Sequence, residues 1–285
     1  MKQTDYKNWK KRFASVCLSC ILGSAWMLPL QADAAGSAES QLSLLAGKRN
    51  VWNTGSFYTE WKQDKGMCAV TDLDGNGRLE LVFLRYVRKP LPYANPNGSN
   101  EERGRSLVVS VPVTVQVRAF EVSADGKNLE ELKFNYQDKA VPPDLAQLWQ
   151  GFYYADDKIR SYRVSTLNRA GELGYSLYEQ VVSLQNGTVE VQTLGTKHGN
   201  YGLFSEAPTA EAIPDYAESR SGEKIQETEL DDYANTYMAG TEPAYARAGW
   251  IFAEDWQKIR ENPNDLYDAF AASWEEFRFE LKKQP

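Results

Sequence analysis

Ten residues carry the densest chemistry in the chain: Asp72-Leu73-Asp74-Gly75-Asn76-Gly77-Arg78-Leu79-Glu80-Leu81. Side-chain oxygens fall at loop positions one (Asp72), three (Asp74), five (Asn76) and nine (Glu80), and the carbonyl of Arg78 stands at position seven. Gly77 occupies position six, where the backbone of such a loop must turn sharply. Oxygens at this spacing wrap a short loop around a hard cation. Three carboxylates and an amide suit calcium, whereas magnesium prefers a tighter octahedral site that keeps several waters. The expected cofactor is therefore one Ca2+ ion held by Asp72, Asp74, Asn76, Glu80 and the Arg78 carbonyl. An EF-hand would close with a bidentate acid at position twelve, but that residue is Phe83, in an apolar run. The plainer reading is an acidic turn that only joins two strands; position-by-position agreement favours the metal loop.

Other reactive residues are sparse. The one histidine, His198, lies in Gly195-Thr-Lys-His-Gly-Asn-Tyr-Gly, which reads as an exposed glycine-bracketed turn. A single histidine excludes multi-histidine zinc sites, and no nucleophile-elbow pattern accompanies it. Cys68, between Met67 and Ala69, reads as a buried, inert thiol on a strand. Two acids suffice for a glycosidase, but with 39 Asp and Glu on the chain such pairs arise by chance. Tyr154, Tyr162, Tyr175, Tyr178 and Tyr201 could make a sugar-stacking platform; alternating aromatics on a half-buried sheet more often pack a core.

The elements that must position the loop are mostly strands. Met67–Val70 and Leu79–Val87 are predicted strands on either side of it, so the loop closes a hairpin spanning 67–87. Pro90 to Arg105 is turn and loop chemistry throughout. From Leu107 to Ala119, Leu107, Val109, Val111, Val113, Val115, Val117 and Ala119 alternate with Ser110, Thr114, Gln116 and Arg118, which predicts one face on a core and one in water. Pro112 cannot donate to a ladder and implies an edge or a bulge there. Asp125-Gly126 turns the chain into Leu129–Tyr136, and Asn186-Gly187 joins strands Tyr175–Leu184 and Val189–Leu194, after a strand at Ile159–Leu167. Ser40–Ala46 reads as a short helix, Thr228 as the cap of another, and Asn262-Pro263 as the start of a third. In that third helix Leu266, Phe270, Trp274, Phe277 and Leu281 form an apolar stripe, better explained by packing on a sheet than by a ligand box. The pattern gives an α+β fold: an antiparallel meander with N- and C-terminal helices packed on it.

The first residues indicate where the chain works. Lys2, Lys7, Lys10, Lys11 and Arg12 precede an uncharged run, Phe13 to Leu30, and then Gln31-Ala-Asp-Ala-Ala35. A basic start, an apolar stretch and an Ala-x-Ala exit make residues 1–34 a secretory signal peptide. A membrane anchor is the alternative; Pro29 and the small-residue exit favour cleavage. Residues 35–285 then form a single exported domain, secreted, periplasmic or on the cell surface. The leader holds five of the 32 basic and two of the 39 acidic residues, so the mature chain carries 27 against 37, a formal charge of −10. Such a chain is repelled by nucleic acid and anionic lipid, so no nucleic-acid partner is expected and no membrane partner after cleavage. Cys17 and Cys20 leave with the leader, so Cys68 has no intramolecular disulfide partner. The 8 Trp, 16 Tyr and 11 Phe argue for a packed core rather than disorder.

The segment Thr71-Asp72-Leu73-Asp74-Gly75-Asn76-Gly77-Arg78-Leu79-Glu80-Leu81-Val82 resembles the calcium loop of FG-GAP and VCBS-type extracellular repeats, D-x-D-G-[DN]-G-x-x-[DE]-[LI]. More closely, it is similar to secreted bacterial proteins of unknown function that carry a single such loop near the mature N-terminus and often close with a helix like Leu266–Phe277. The resemblance implies calcium bound by Asp72, Asp74, Asn76 and Glu80 in an exported bacterial protein, and carries no activity with it. A single copy does not imply the propeller that repeated copies build. The expected role is a non-enzymatic binding or surface-associated protein whose ligand is extracellular, with carbohydrate or cell-wall material as candidates. The alternative is a secreted hydrolase using paired carboxylates. Intact-mass analysis of exported protein should place the new N-terminus at Ala35 or within a few residues of it; a mature chain that keeps Phe13 to Leu30 would make the segment an anchor.

Overall fold

The computed structural model describes residues 35–285 apart from 64–65, 94–106, 138–139, 151, 156–158, 171–173, 201–215, 240, 260–262 and 282–285. The expected leader, residues 1–34, lies outside the described residues. Three helical segments come first: α1 (Ala38–Gly47), the short α2 (Arg49–Trp52) and α3 (Gly55–Gln63). The strands β1 (Met67–Thr71), β2 (Glu80–Tyr93), β3 (Leu107–Val122) and β4 (Leu129–Glu131) follow. Then come β5 (Lys133–Gln137), a 3-10 turn over Leu145–Gln150, β6 (Phe152–Ala155), β7 (Ile159–Ala170), β8 (Gly174–Gln185), β9 (Thr188–Asn200), β10 (Tyr216–Ser219) and β11 (Lys224–Ile225). The tail holds α4 (Glu227–Tyr237), β12 (Glu242–Arg247), β13 (Ile251–Phe252), α5 (Ala253–Ile259), α6 (Pro263–Glu276) and β14 (Arg278–Leu281). Among the described residues no helix is long and apolar enough to cross a membrane.

The strands are mostly antiparallel, in keeping with the α+β reading, but they divide between two sheets where the sequence predicts a single one. One has the order β13-β1-β2-β3-β4; the other runs β11-β10-β9-β8-β7-β6-β12-β14, with β5 beside β9. From β6 to β11 the second sheet is the expected antiparallel meander. Asn186 (φ 49°) and Gly187 (φ 73°) supply the left-handed turn between β8 and β9. The pairing of β5 with β9 departs from the expectation, because it is parallel. Its cause is a second departure: Leu129–Tyr136 is two strands, not one. β4 pairs with β3 in the first sheet, the chain crosses at Leu132, which is buried between the sheets, and β5 joins the second.

Two cores result. Between the sheets lie Leu73, Val82, Leu84, Val115, Ala119, Tyr162, Val164, Val182, Leu184, Val189 and Val191. On the outer face of the first sheet, Leu42 and Leu45 of α1, Trp52 of α2, Tyr58 and Trp61 of α3, Trp256 of α5, and Leu266 and Phe270 of α6 pack on Cys68, Val70, Leu81, Phe83, Phe120 and Val122. The N- and C-terminal helices thus cover one sheet together, as their apolar stripes predict. Each buried indole N–H finds an acceptor: Trp52 donates to the Leu45 carbonyl at 2.9 Å, Trp61 to the Met67 carbonyl at 3.1 Å, and Trp256 to the Tyr58 hydroxyl. A smaller cluster, Val181, Leu194, Ala234 and Met238, seats α4 on the outer face of the second sheet.

Three local expectations change. Strand β3 does not turn one face to water along its whole length: Val115 and Ala119 enter the inter-sheet core, while Phe120 and Val122, on the opposite face, lie beneath the helices. The side chains of residues 107–113 lie outside the described ones. Near Pro112 the β2–β3 register shifts, with Val87 opposite Thr114 but Arg88 opposite Pro112, so the proline sits at a bulge. Helix α6 ends at Glu276 rather than continuing to Leu281, because residues 278–281 pair with β12 and place Phe279 against the inter-sheet core. Helix α4 begins earlier than a Thr228 cap implies: Gln226 and Glu229 form a capping box around its first turn. Tyr162 and Tyr175 are buried, in keeping with the core reading of the strand tyrosines, and the side chains of Tyr154 and Tyr201 lie outside the described ones.

Val115 is 2 % exposed between two apolar sheets, so Val115→Asp should lower stability by about 3 kcal/mol or more through an unpaired buried charge. Urea unfolding checks this, and a variant that unfolds like the parent would contradict the two-sheet packing.

Candidate metal centre

The β1–β2 hairpin delivers the acidic loop to one end of the space between the sheets. Its two internal leucines anchor it in opposite directions: Leu73 enters the inter-sheet core and Leu79 the helix-side core. Gly75 (φ 71°) and Gly77 (φ 82°) make the reversal in a backbone region that L side chains rarely adopt. A Cβ at Gly75 would also lie 2.2 Å from Nη2 of Arg160, so that guanidinium would have to shift. Phe83, at position twelve, is a buried β2 residue and no ligand.

Carboxylate oxygens of Asp72, Asp74 and Glu80 lie within 4.8 Å of one another, so these three side chains form a group that can hold a metal ion. Glu80 is fully buried. Its Oε2 accepts from the Thr71 hydroxyl (2.9 Å) and the Leu73 amide (2.8 Å). Its Oε1 is buried with no hydrogen-bond partner among the described residues, and Oδ1 of Asp72 is in the same state. Asp74 accepts from the Asn76 amide (3.1 Å) and from the Asn76 side chain (2.8 Å). Asn76 Oδ1 accepts from the Arg78 amide at 2.7 Å and keeps a second lone pair. Of the expected five, the structure brings the three acids and Asn76 together. Arg78 contributes something unforeseen: its guanidinium lies 2.9 Å from Glu121.

Burial dominates the electrostatics. It pushes the Asp72 carboxyl up to about 6, with the neighbouring Asp74 adding to the rise and Arg160 opposing it. Burial, then the charges of Asp72 and Asp74, raise Glu80 well above the ordinary carboxylate range, and burial raises Asp74 as well. Glu121 stands directly opposite Glu80 across β2 and β3. Burial lifts it to about 6, against the Asn76 hydrogen bond and the Arg78 charge. Like charges opposed across a ladder destabilise it. Without a cation the loop therefore holds its negative charge at a cost.

Several residues that no local motif reveals hold the loop. From the second sheet, Arg160 Nη1 donates to the Asp72 carbonyl at 2.9 Å while its guanidinium stacks 4.2 Å from the Phe279 ring centre. Tyr162, two residues on, donates its hydroxyl to the Leu73 carbonyl. From α1, the buried Gln41 donates to the carbonyls of Gly77 (2.9 Å) and Gly36 (3.1 Å) and accepts from the Leu79 amide at 2.8 Å. Glu121 accepts from Asn76 Nδ2 at 2.8 Å. For Glu121 and Arg160 the only sequence signal is phase: they share strand faces with Ala119 and Val164, where an apolar residue is expected.

His198 is not in an exposed turn. It lies on β9, with Nδ1 3.0 Å from the Ser176 hydroxyl, Nε2 3.5 Å from Glu218, and its ring stacked 4.9 Å from Tyr216. These partners are its cross-strand neighbours or lie beside them, which makes the group a ladder of side chains on one sheet face. Cys68 is buried as expected, and burial raises its thiol far above the ordinary value. No family model, curated protein or solved structure matched the chain.

Gln41→Ala would leave the buried Leu79 amide unpaired and remove the part-buried bond to the Gly77 carbonyl. It should destabilise the chelator-treated protein by about 2 kcal/mol or more; urea unfolding identical to the parent would mean that α1 does not clamp the loop.

Proposed function

We propose that the loop binds one calcium ion through Asp72, Asp74, Asn76, Glu80 and the Arg78 carbonyl, and that the ion is structural in an exported, non-enzymatic binding or surface-associated protein. The observation that carries this reading is the pair of orphaned buried oxygens, Glu80 Oε1 and Asp72 Oδ1, beside a third carboxylate. An unpaired buried carboxylate oxygen is costly, and a cation supplies the missing partner to both at once. The donor set is all oxygen, which suits a hard cation and gives no reason for zinc or copper. The D-x-D-G-N-G-x-x-E spacing and its likeness to FG-GAP and VCBS-type loops support calcium in particular.

Raised carboxyls are also the mark of a general acid, which is what the hydrolase alternative needs. Glu80, however, is sealed from solvent with one oxygen engaged by Thr71 and Leu73, and neither of the two described surface grooves is lined by Asp72, Asp74 or Glu80. A carboxylate that cannot meet a substrate suits a structural ion better than acid–base chemistry.

Extracellular calcium modules bind at about 10⁻⁴ to 10⁻³ M. A ligand that binds only the folded state stabilises by about 2.7 kcal/mol at a hundredfold excess over its dissociation constant. Millimolar calcium should therefore raise the Tm of residues 35–285 relative to chelator, magnesium should raise it less, and Asp72→Ala with Asp74→Ala should remove the gain. Superimposable melting curves with calcium and with chelator would reduce the loop to an acidic turn.

A further inference from the structure

The outer face of the second sheet is only partly covered by α4. Leu230, Ala234 and Met238 seat that helix on the β8–β9 region, and Gly195 admits Leu230 to a distance that a Cβ would forbid. Beyond its C-terminal end the sheet face becomes polar. Ser161, Ser183, Glu190 and Asn135 stand in one row as direct neighbours across β7, β8, β9 and β5, and Gln192 and Gln137 stand in the next. A groove of about 330 Å3 runs over this floor, walled by Tyr237. That volume lies at the small end of the range of ligand sites, about 300–1,000 Å3.

The groove is organised by its own hydrogen bonds. Oε2 of Glu190 accepts from both Asn135 (2.7 Å) and Gln137 (3.0 Å), and Oε1 of Gln192 accepts from the Tyr237 hydroxyl at 2.9 Å. These contacts, all solvent-exposed, orient three amides and a carboxylate. The two donors of Gln192 Nε2, the carbonyl oxygen of Gln137, the second oxygen of Glu190 and the Ser161 hydroxyl are then available to a ligand. Among the described lining residues there is one carboxylate and no lysine or arginine, so a phosphate, sulfate or uronate would meet no compensating charge. Oriented planar amides beside hydroxyls instead match groups that donate and accept at once, as sugar hydroxyls do. The Tyr237 ring, 42 % exposed, offers an apolar face to the C–H side of a pyranose.

We propose that this groove binds a neutral oligosaccharide. It lies on the face of the second sheet opposite Tyr162 and the metal loop, so it stands whether or not the loop binds calcium. The chemistry is recognition rather than cleavage: glycoside hydrolysis takes two carboxylates across the scissile bond, and Glu190 is the one described in the lining.

The test is calorimetric titration of residues 35–285, in calcium and again in chelator, with four neutral hexasaccharides (β-1,4-linked glucose, xylose and N-acetylglucosamine, and α-1,4-linked glucose) and with anionic oligogalacturonate. At least one neutral hexasaccharide should bind without being shortened. Tyr237→Ala and Gln192→Ala should each weaken it by about tenfold with no loss of Tm, and Tyr237→Phe should retain more affinity than Tyr237→Ala because it keeps the ring. No heat from any neutral hexasaccharide at millimolar concentration, binding of oligogalacturonate alone, or affinity indifferent to both alanine substitutions would each overturn the proposal. Calcium dependence of the melting curve reports on the loop separately.

Discussion

Four carboxylates, Asp72, Asp74, Glu80 and Glu121, are folded into one end of the space between two apolar sheets, and the rest of the architecture accommodates that confinement. Ionised acids removed from water repel one another strongly, because little solvent remains to screen them. The chain offsets part of this with Arg78 on Glu121 and Arg160 above the loop, and with backbone and amide donors to individual oxygens. Two oxygens, on Glu80 and Asp72, remain without partners among the described residues. A divalent cation is the simplest completion of that arrangement, and the proposed calcium site follows from it.

The same loop joins the layers. Leu73 faces the inter-sheet core and Leu79 the helix-side core, Arg160 and Tyr162 reach it from the second sheet, and Gln41 reaches it from α1. Both sheets and the N-terminal helix therefore meet at ten residues. An ion that stiffens those residues would stabilise contacts among all three layers, which is how a loop remote from the polar groove could steady the scaffold that presents it. The groove's own order comes from Glu190 and Gln192, held by their neighbours on β5 and α4.

Much of the frame was legible in the sequence because it rests on short-range rules. The Asn186-Gly187 hairpin, the alternation through Val115 and Ala119, the Leu266–Phe270 stripe and the burial of Cys68 all follow from local period and turn chemistry. Sequence and structure part where a choice depends on distant partners. A strand that looks continuous from Leu129 to Tyr136 is divided because two sheets compete for it, and the stripe beyond Glu276 leaves the helix because β12 presents an open edge. For His198 the opposite holds: its flanking glycines suggest a turn, yet they serve close packing inside a strand, where Gly199 lies against Tyr175. In the candidate site the loop residues themselves were plain. Gln41, Glu121, Arg160 and Tyr162 were not, since their contacts span 36 to 89 residues of chain.

The most direct test of the central claim is a crystal structure of residues 35–285 grown in calcium, with anomalous scattering recorded to identify the ion. The account predicts one anomalous peak in the loop, with oxygens of Asp72, Asp74, Asn76 and Glu80 and the Arg78 carbonyl at about 2.3–2.6 Å. A loop without anomalous density at millimolar calcium, its carboxylates instead protonated, bridged by water or paired with Arg160, would contradict it.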